Sequence, residues 1–160
     1  MIGRRTARSR RARERASRYT VASREPIVVD ASIAFLWFVN EPDRSGAARL
    51  LESESLLLSP DLMIAEVTNA WWKKLRRREM NLEVVEQAVT NLLALGIDWT
   101  PSADLVKPAA RLAAELDHPV YDCLYLALAA AQSTPVATAD DRLRRAAERI
   151  GIPVWPARRG

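Results

Sequence analysis

Cysteine and histidine are all but missing from this 160-residue chain, which has only Cys123 and His118. A lone thiol excludes an internal disulfide framework, and the two residues together supply no Cys/His set for a structural zinc. Any metal here has to be held by oxygen. Long apolar runs are missing too. The longest, Cys123 to Ala131, falls far short of the roughly 20 residues that span a bilayer, and no segment resembles the h-region of a signal peptide. The expectation is a soluble, cytoplasmic protein with no membrane partner.

What is present is enough for one core. At 49% hydrophobic, the chain can bury a sizeable interior but is too short for two ordinary domains. Its net charge of +4 is unevenly spread: residues 1–25 carry nine arginines and two glutamates, which leaves the remaining 135 residues at −3. We therefore divide the chain into an arginine-rich extension (1–25), a folded domain (26–156) and a short tail (157–160). The extension has almost no large apolar residues and is expected to be disordered. It reads either as an arm held to nucleic acid by phosphate charge or as a dispensable addition from a start codon placed too early.

From Pro26 onward, short β-branched runs alternate with helical segments. "PIVVD", "LLLSP", "IDW", "PVATA" and "IPVW" read as strands. Helices are expected over about Ser32 to Val39 and Arg44 to Glu54, and in "DLMIAEVTNAWWKKLRRR", "NLEVVEQAVTNLLAL", "SADLVKPAARLAAEL", "HPVYDCLYLALAAA" and "DDRLRRAAERI". Asp61 and Asn81 are candidate N-caps, and Pro108 should kink or break its helix. Alternation of this kind implies an α/β fold, a parallel central sheet with helices on both faces in an α/β/α sandwich.

Open parallel sheets bind ligands beyond the carboxyl ends of their strands. Asp30 directly follows "IVV", and Asp140 and Asp141 follow "VATA", so two strands deliver acids to that rim. Glu66 lies about one turn into the helix after "LLLS", near the same edge. Asp122 falls in the first turn of its own helix, where the dipole favours an anion. Each acid has an ordinary structural use: Asp30 and Asp140 as N-caps, Glu66 as a solvated helix residue, Asp122 as the partner of an arginine or of its own helix start. Those uses explain poorly why two of the four lie among apolar neighbours. At an effective dielectric near 20, two carboxylates about 5 Å apart repel by roughly 3 kcal/mol, so such a cluster calls for a cation. Mg²⁺ or Mn²⁺, hard ions that take carboxylate and water oxygens, would suit it.

Taken in order, "IVVDAS", "AEVTNA", "YDCLYLALA" and "TADDRL" resemble the acidic motifs of PIN-domain ribonucleases, in particular the VapC-type toxins of toxin–antitoxin pairs. The resemblance spans about Pro26 to Val154. It implies a PIN-like fold in which Asp30, Glu66, Asp122 and Asp140 form a catalytic acidic site for Mg²⁺ or Mn²⁺. Ser32 and Thr138 would be its polar supports, Asn69 a supporting partner and Asp141 an extra acid. The implied activity is hydrolysis of RNA phosphodiester bonds, with a cognate antitoxin as protein partner. The arginine-rich extension departs from the pattern, since such toxins commonly begin close to the first strand.

An acidic rim repels RNA, so cations must lie nearby. Candidate contacts are Arg142, Arg144 and Arg145 after the acidic pair, and Lys73, Lys74, Arg76, Arg77 and Arg78 in the basic run that ends the long helix. A run of that kind also has a local reason, because cations favour a helix C-terminus. Trp71 and Trp72 point about 100° apart on a helix and cannot share one core. One of them, or Trp37 or Phe38, is expected at a dimer or antitoxin interface. His118 is expected in a turn or cap, and Cys123 as a small core residue. The alternatives are a PIN-like module that binds RNA or a partner without cutting, and a phosphatase with an aspartyl nucleophile at Asp30. Against the latter, Ser32 stands where its usual second aspartate would be. A phosphorylated receiver domain would need a late lysine, and the only lysines are Lys73, Lys74 and Lys107.

Overall fold

The strand that opens the domain, "PIVV", has three consecutive buried residues, Ile27, Val28 and Val29, the signature of a strand covered on both faces. A computed structural model describes residues 24–40 and 44–155. Within them the order is β1 (Pro26–Val29), α1 (Ala31–Trp37), α2 (Arg44–Glu52), β2 (Leu56–Pro60), α3 (Leu62–Arg76), α4 (Leu82–Ala94) and β3 (Asp98–Thr100). The chain continues with α5 (Ser102–Leu116), α6 (Val120–Gln132), β4 (Val136–Ala137), α7 (Asp141–Arg149) and β5 (Val154–Trp155). The strands form one wholly parallel sheet in the order β3-β2-β1-β4-β5, flanked by helices in an α/β/α arrangement. The expected fold class is thus the observed one. Of the extension 1–25 only Arg24 and Glu25 are described; residues 41–43 of the "NEPDRSG" turn, residue 156 and the tail 157–160 lie outside the described residues.

The order of strands matters for the site. The chain leaves β1 toward β2 and β3 on one side and returns to add β4 and β5 on the other, so the strand order switches between β1 and β4. In open α/β sheets the crevice at such a switch point is where ligands bind. The register pairs Val29 with Ala137, which sets Asp30 beside Thr138 and Asp140. The backbone N–H of Asp30 donates to the Ala137 carbonyl over 3.0 Å, carrying the pairing one residue past the strand.

Helix α6 packs against α5 and lies across β1, β2 and β4. Seven successive residues, Cys123 to Ala129, are buried, as expected of a helix enclosed all round. It begins one residue later than its Pro119 suggested, and Asp122 falls in its first turn. Helix α1 packs against α2 and α3. Asn81 caps α4, its side chain accepting from the Val84 N–H over 2.9 Å.

Two local expectations need correction. Asp61 does not cap α3: its backbone is already helical and its carboxylate accepts from the Ser102 N–H over 2.9 Å and from the Ser102 hydroxyl. The Ser102 Oγ in turn accepts from the Leu62 N–H at 3.3 Å, so the starts of α3 and α5 cap each other across the β2/β3 edge. Those bonds from Ser102 hold the Asp61 carboxyl below its ordinary value. Pro108 does not end its helix, and α5 runs unbroken from Ser102 to Leu116. Pro108 and Asp104, whose carbonyl loses its donor, are both exposed, so water can take the place of the missing bond.

Candidate active site

Asp30 stands at the N-cap position of α1, yet its side chain makes no cap bond. It turns inward, is 7% exposed, and its Oδ2 accepts from the Ser32 hydroxyl at 2.5 Å and the Thr138 hydroxyl at 2.8 Å. Thr138 is buried and Ser32 half-buried; Ser32 Oγ also accepts from the Ala139 N–H at 2.9 Å, and Thr138 Oγ1 from the Asp140 N–H at 2.9 Å. The two hydroxyls therefore join the turn after β4 to the end of β1. Burial pushes the Asp30 carboxyl above its ordinary value; the two hydroxyls oppose that, and the charge of Asp122 adds to it.

Glu66, on α3, is half-buried, and its Oε2 accepts from the Tyr125 hydroxyl at 2.5 Å. Burial raises its carboxyl too, with the charges of Asp30 and Asp122 contributing and Tyr125 opposing. Asp122 lies 2.9 Å, through Oδ2, from Nε2 of the nearly buried His118. Its carboxyl is raised by burial; His118 and Arg142 pull it down and Asp140 pushes it up. Asp140 is the one acid that does cap a helix: its Oδ1 accepts from the N–H groups of Arg142 at 2.6 Å and Leu143 at 3.2 Å.

Asp30 lies within range of the charge of Asp122, Glu66 within range of Asp30 and Asp122, and Asp122 within range of Asp140; among the described residues neither Asp30 nor Glu66 has a basic ion-pair partner. Their partners follow a common pattern. Hydroxyl, imidazole and capping interactions gather on a single oxygen of each carboxylate: Oδ2 of Asp30, Oε2 of Glu66, Oδ2 of Asp122 and Oδ1 of Asp140. Among the described residues no side chain donates a hydrogen bond to the second oxygen of any of the four. As a donor set this fits a hard divalent cation. The convergence is looser than the chemistry, because among the described residues no three His, Cys, Asp or Glu side chains lie close enough to hold one ion.

The other named residues divide. Asn69 is exposed and lines a hollow with Asp61, Ile64, Thr68 and Trp72, separate from the groove that Glu66 lines. Asp141 is exposed, 3.8 Å from Arg144 Nε. Arg144 is half-buried and donates to the Thr138 carbonyl at 3.1 Å, which makes it a brace for the turn. Arg142 and Arg145 are exposed. Lys73, Lys74 and Arg77 line a groove of ≈ 450 Å³ between α1 and α3, with Ser32, Glu66 and Ala139 among its other walls. Lys74 is tied to Glu79 at 2.8 Å and rests over the Phe35 ring. Trp37 is buried with its indole N–H on the Ala47 carbonyl, Phe38 meets Trp71 edge-on, and Trp72 is the exposed one of the pair. Cys123 is a buried core residue whose thiol is pushed up to about 11 by burial and by the Asp122 charge.

Sequence reasoning missed Tyr125 as the partner of Glu66, and His118 as the partner of Asp122. The second was open to it, since residues four apart on a helical path are neighbours. The first was not, because nothing local ties a tyrosine on α6 to a glutamate 59 positions earlier.

Fold and site together define a single α/β/α domain with an acidic rim at the switch point of a parallel sheet. The PIN domain family model matches residues 27–149, and the chain belongs to that family, one of nucleases that generally use divalent metal ions. No curated protein matches it. Solved structures with the same fold include PAE2754 from Pyrobaculum aerophilum, at 20% identity and a TM-score of 0.63 over 84% of this chain and 88% of that one. Another is Mycobacterium tuberculosis VapC20, described as a sarcin-ricin loop cleaving toxin, at 19% identity and a TM-score of 0.61 over 75% and 94%. A third is VapBC2 from Rickettsia felis bound to a DNA fragment from their promoter, at 14% identity and a TM-score of 0.57 over 81% and 96%. Among the described residues no helix is long and apolar enough to cross a membrane.

Proposed function

We propose that the chain is a Mg²⁺- or Mn²⁺-dependent endoribonuclease and the toxin of a VapC-type pair, acting in the cytoplasm as a homodimer and silenced by a cognate antitoxin. The observation that carries the reading is the placement of Asp30: a buried carboxylate with hydroxyl partners and, among the described residues, no basic one, beside the half-buried Glu66, which is also held by a hydroxyl, in a chain of the PIN family. The description of VapC20 as a sarcin-ricin loop cleaving toxin, and the structure of VapBC2, support the choice of RNA and of an antitoxin partner.

In this reading Asp30, Glu66, Asp122 and Asp140 hold the ion, which when bound supplies charge neutralisation at the phosphate and at the leaving oxygen. Ser32 and Thr138 fix the rotamer of Asp30, the kind of outer support on which metal affinity depends. Lys73 and Arg77, on the groove that Glu66 also lines, are the cations placed to take the RNA backbone, with Arg142 and Arg145 at the other end of the rim. Arg144 is committed to the Thr138 carbonyl, and Lys74 to Glu79. Asn69 and Asp141 are kept as supporting residues from the motif alone.

The purified chain is expected to cut RNA with Mg²⁺ or Mn²⁺, to stop in excess chelator, and to lose cleavage in a folded Asp122→Asn variant. Cleavage that continues in chelator, free of contaminating nuclease, would overturn the metal reading. RNA bound without being cut, with metal present, would select the non-catalytic module instead. For the toxin reading, induced expression should arrest growth with the wild-type chain and not with Asp122→Asn; equal growth would remove it.

The groove makes a separate prediction. Reversing two cations with Lys73→Glu and Arg77→Glu should weaken RNA binding across sequences and lower the slope of log affinity against log salt by about 1 for each phosphate no longer neutralised. Affinity titrations at three salt concentrations measure it. An unchanged slope would assign the two residues to the solvated face of α3.

A further inference from the structure

We infer that Tyr125 is a positioning residue of the acidic site: from the enclosed helix α6 its hydroxyl grips one oxygen of Glu66 and presents the other to the divalent ion. The inference rests on the metal-site reading above.

The geometry is specific. Tyr125 is 0% exposed, so its hydroxyl has no water to fall back on and must find partners inside the protein. It donates to Glu66 Oε2 at 2.5 Å, and the backbone N–H of Ala31 is directed at the same phenolic oxygen. Ala31 is the first residue of α1 and adjoins Asp30. Two elements that each carry an acid thus meet in one hydrogen bond, α3 through Glu66 and α6 one turn beyond Asp122, and the charge of Asp30, at the start of α1, acts on the same hydroxyl. Residues three apart on a helix share a side, so α6 offers both an acid and the clamp for another acid.

Glu66 needs such a clamp more than the others do. Asp30 has two hydroxyls, Asp122 has His118 and Asp140 has two backbone N–H groups, whereas Glu66 has the longer side chain and Tyr125 as its one hydrogen-bond partner among the described residues. An unheld glutamate half in solvent would lose its rotamer freedom on each binding event. One fixed by a buried phenol has already lost it, and pre-organisation of this kind is what strengthens a ligand.

The test is Mn²⁺ binding to the full chain by titration calorimetry, with a double-mutant cycle. Tyr125→Phe keeps the ring and removes the hydroxyl, and should weaken Mn²⁺ binding about 10-fold, the low end for loss of a partner that orients a metal ligand. In a Glu66→Gln background the same change should have little further effect, because the residue acts through Glu66. A loss of equal size in both backgrounds would mark Tyr125 as a packing residue and overturn the inference, as would wild-type affinity in Tyr125→Phe. Tyr121→Phe, on an exposed ring of the same helix, serves as the control and should bind like wild type. If Tyr125→Phe does not fold, Glu66→Asp decides: it keeps the charge but withdraws the carboxylate from the phenol, and undiminished Mn²⁺ affinity would overturn the inference. A wild-type chain that binds no Mn²⁺ is a separate result; it would overturn the metal-site reading and this inference with it.

Discussion

Asp30→Asn should abolish RNA cleavage and, in the same protein without metal, raise the melting temperature at neutral pH. The two effects share a cause. Asp30 is buried without a basic partner, and burial raises its carboxyl pKa in the folded state. A group whose folded pKa is raised holds its proton more tightly folded than unfolded, so stability falls as pH climbs from the ordinary value near 3.8 through the folded value. At pH 7, above that ordinary value, the buried carboxyl therefore costs stability. Asparagine removes the charge while the two hydroxyls turn to suit it, a gain of about 1–3 kcal/mol, or several degrees in a domain of this size. The advantage should shrink as pH approaches 4, and Mn²⁺ should narrow it at pH 7 by stabilising the wild type alone. Loss of one ligand for the ion should cost cleavage about a thousand-fold, equivalent to several kcal/mol of transition-state charge stabilisation. Thermal melts from pH 4 to 8, with and without Mn²⁺, read out both signs. A variant less stable than wild type at pH 7 would make Asp30 a structural anchor.

Trp71→Ala and Trp72→Ala should differ sharply in their cost to the fold. Trp71 is 0% exposed and meets Phe38 edge-on at 5.4 Å between ring centroids, while Trp72 is 45% exposed with Arg76 over its ring. Truncating a fully buried aromatic removes its transfer energy and leaves a cavity, at a cost of about 3–5 kcal/mol. Among the described residues the indole nitrogen of Trp71 has no hydrogen-bond partner, so that cost is one of packing. Trp72→Ala should stay within about 0.5 kcal/mol in the isolated chain, as exposed substitutions generally do. Denaturant midpoints compare them directly. A large loss at Trp72 would show that its stack with Arg76 contributes to the fold, and would weaken its claim to a partner interface.

The sheet and its flanking helices were legible because alternation is a local signal: "PIVVD" and "PVATA" are short apolar runs next to helical patterns, and parallel order follows from that arrangement. The carboxylates could be placed on the rim for the same reason, since Asp30 and Asp140 directly follow strands. What could not be read is where each side chain turns. Asp61 and Asp140 look alike in sequence, each at the start of a helix; Asp140 caps its own, whereas Asp61 is drawn to Ser102 by the pairing of β2 with β3. Tyr125 reads as one more apolar residue in "YDCLYLALA", because its role is set by a glutamate on another helix. Local propensity misleads at Pro108, whose ring lies on an exposed face where a missing bond costs little.

The bond between Thr138 and Asp30 joins residues 108 positions apart. During synthesis the chain emerges with Asp30 and Glu66 early, while the hydroxyl that orients Asp30, and the strand that seats it, come from the last quarter of the sequence. A nascent chain therefore carries Asp30 and Glu66 long before Thr138, whose hydroxyl holds Asp30, has been made.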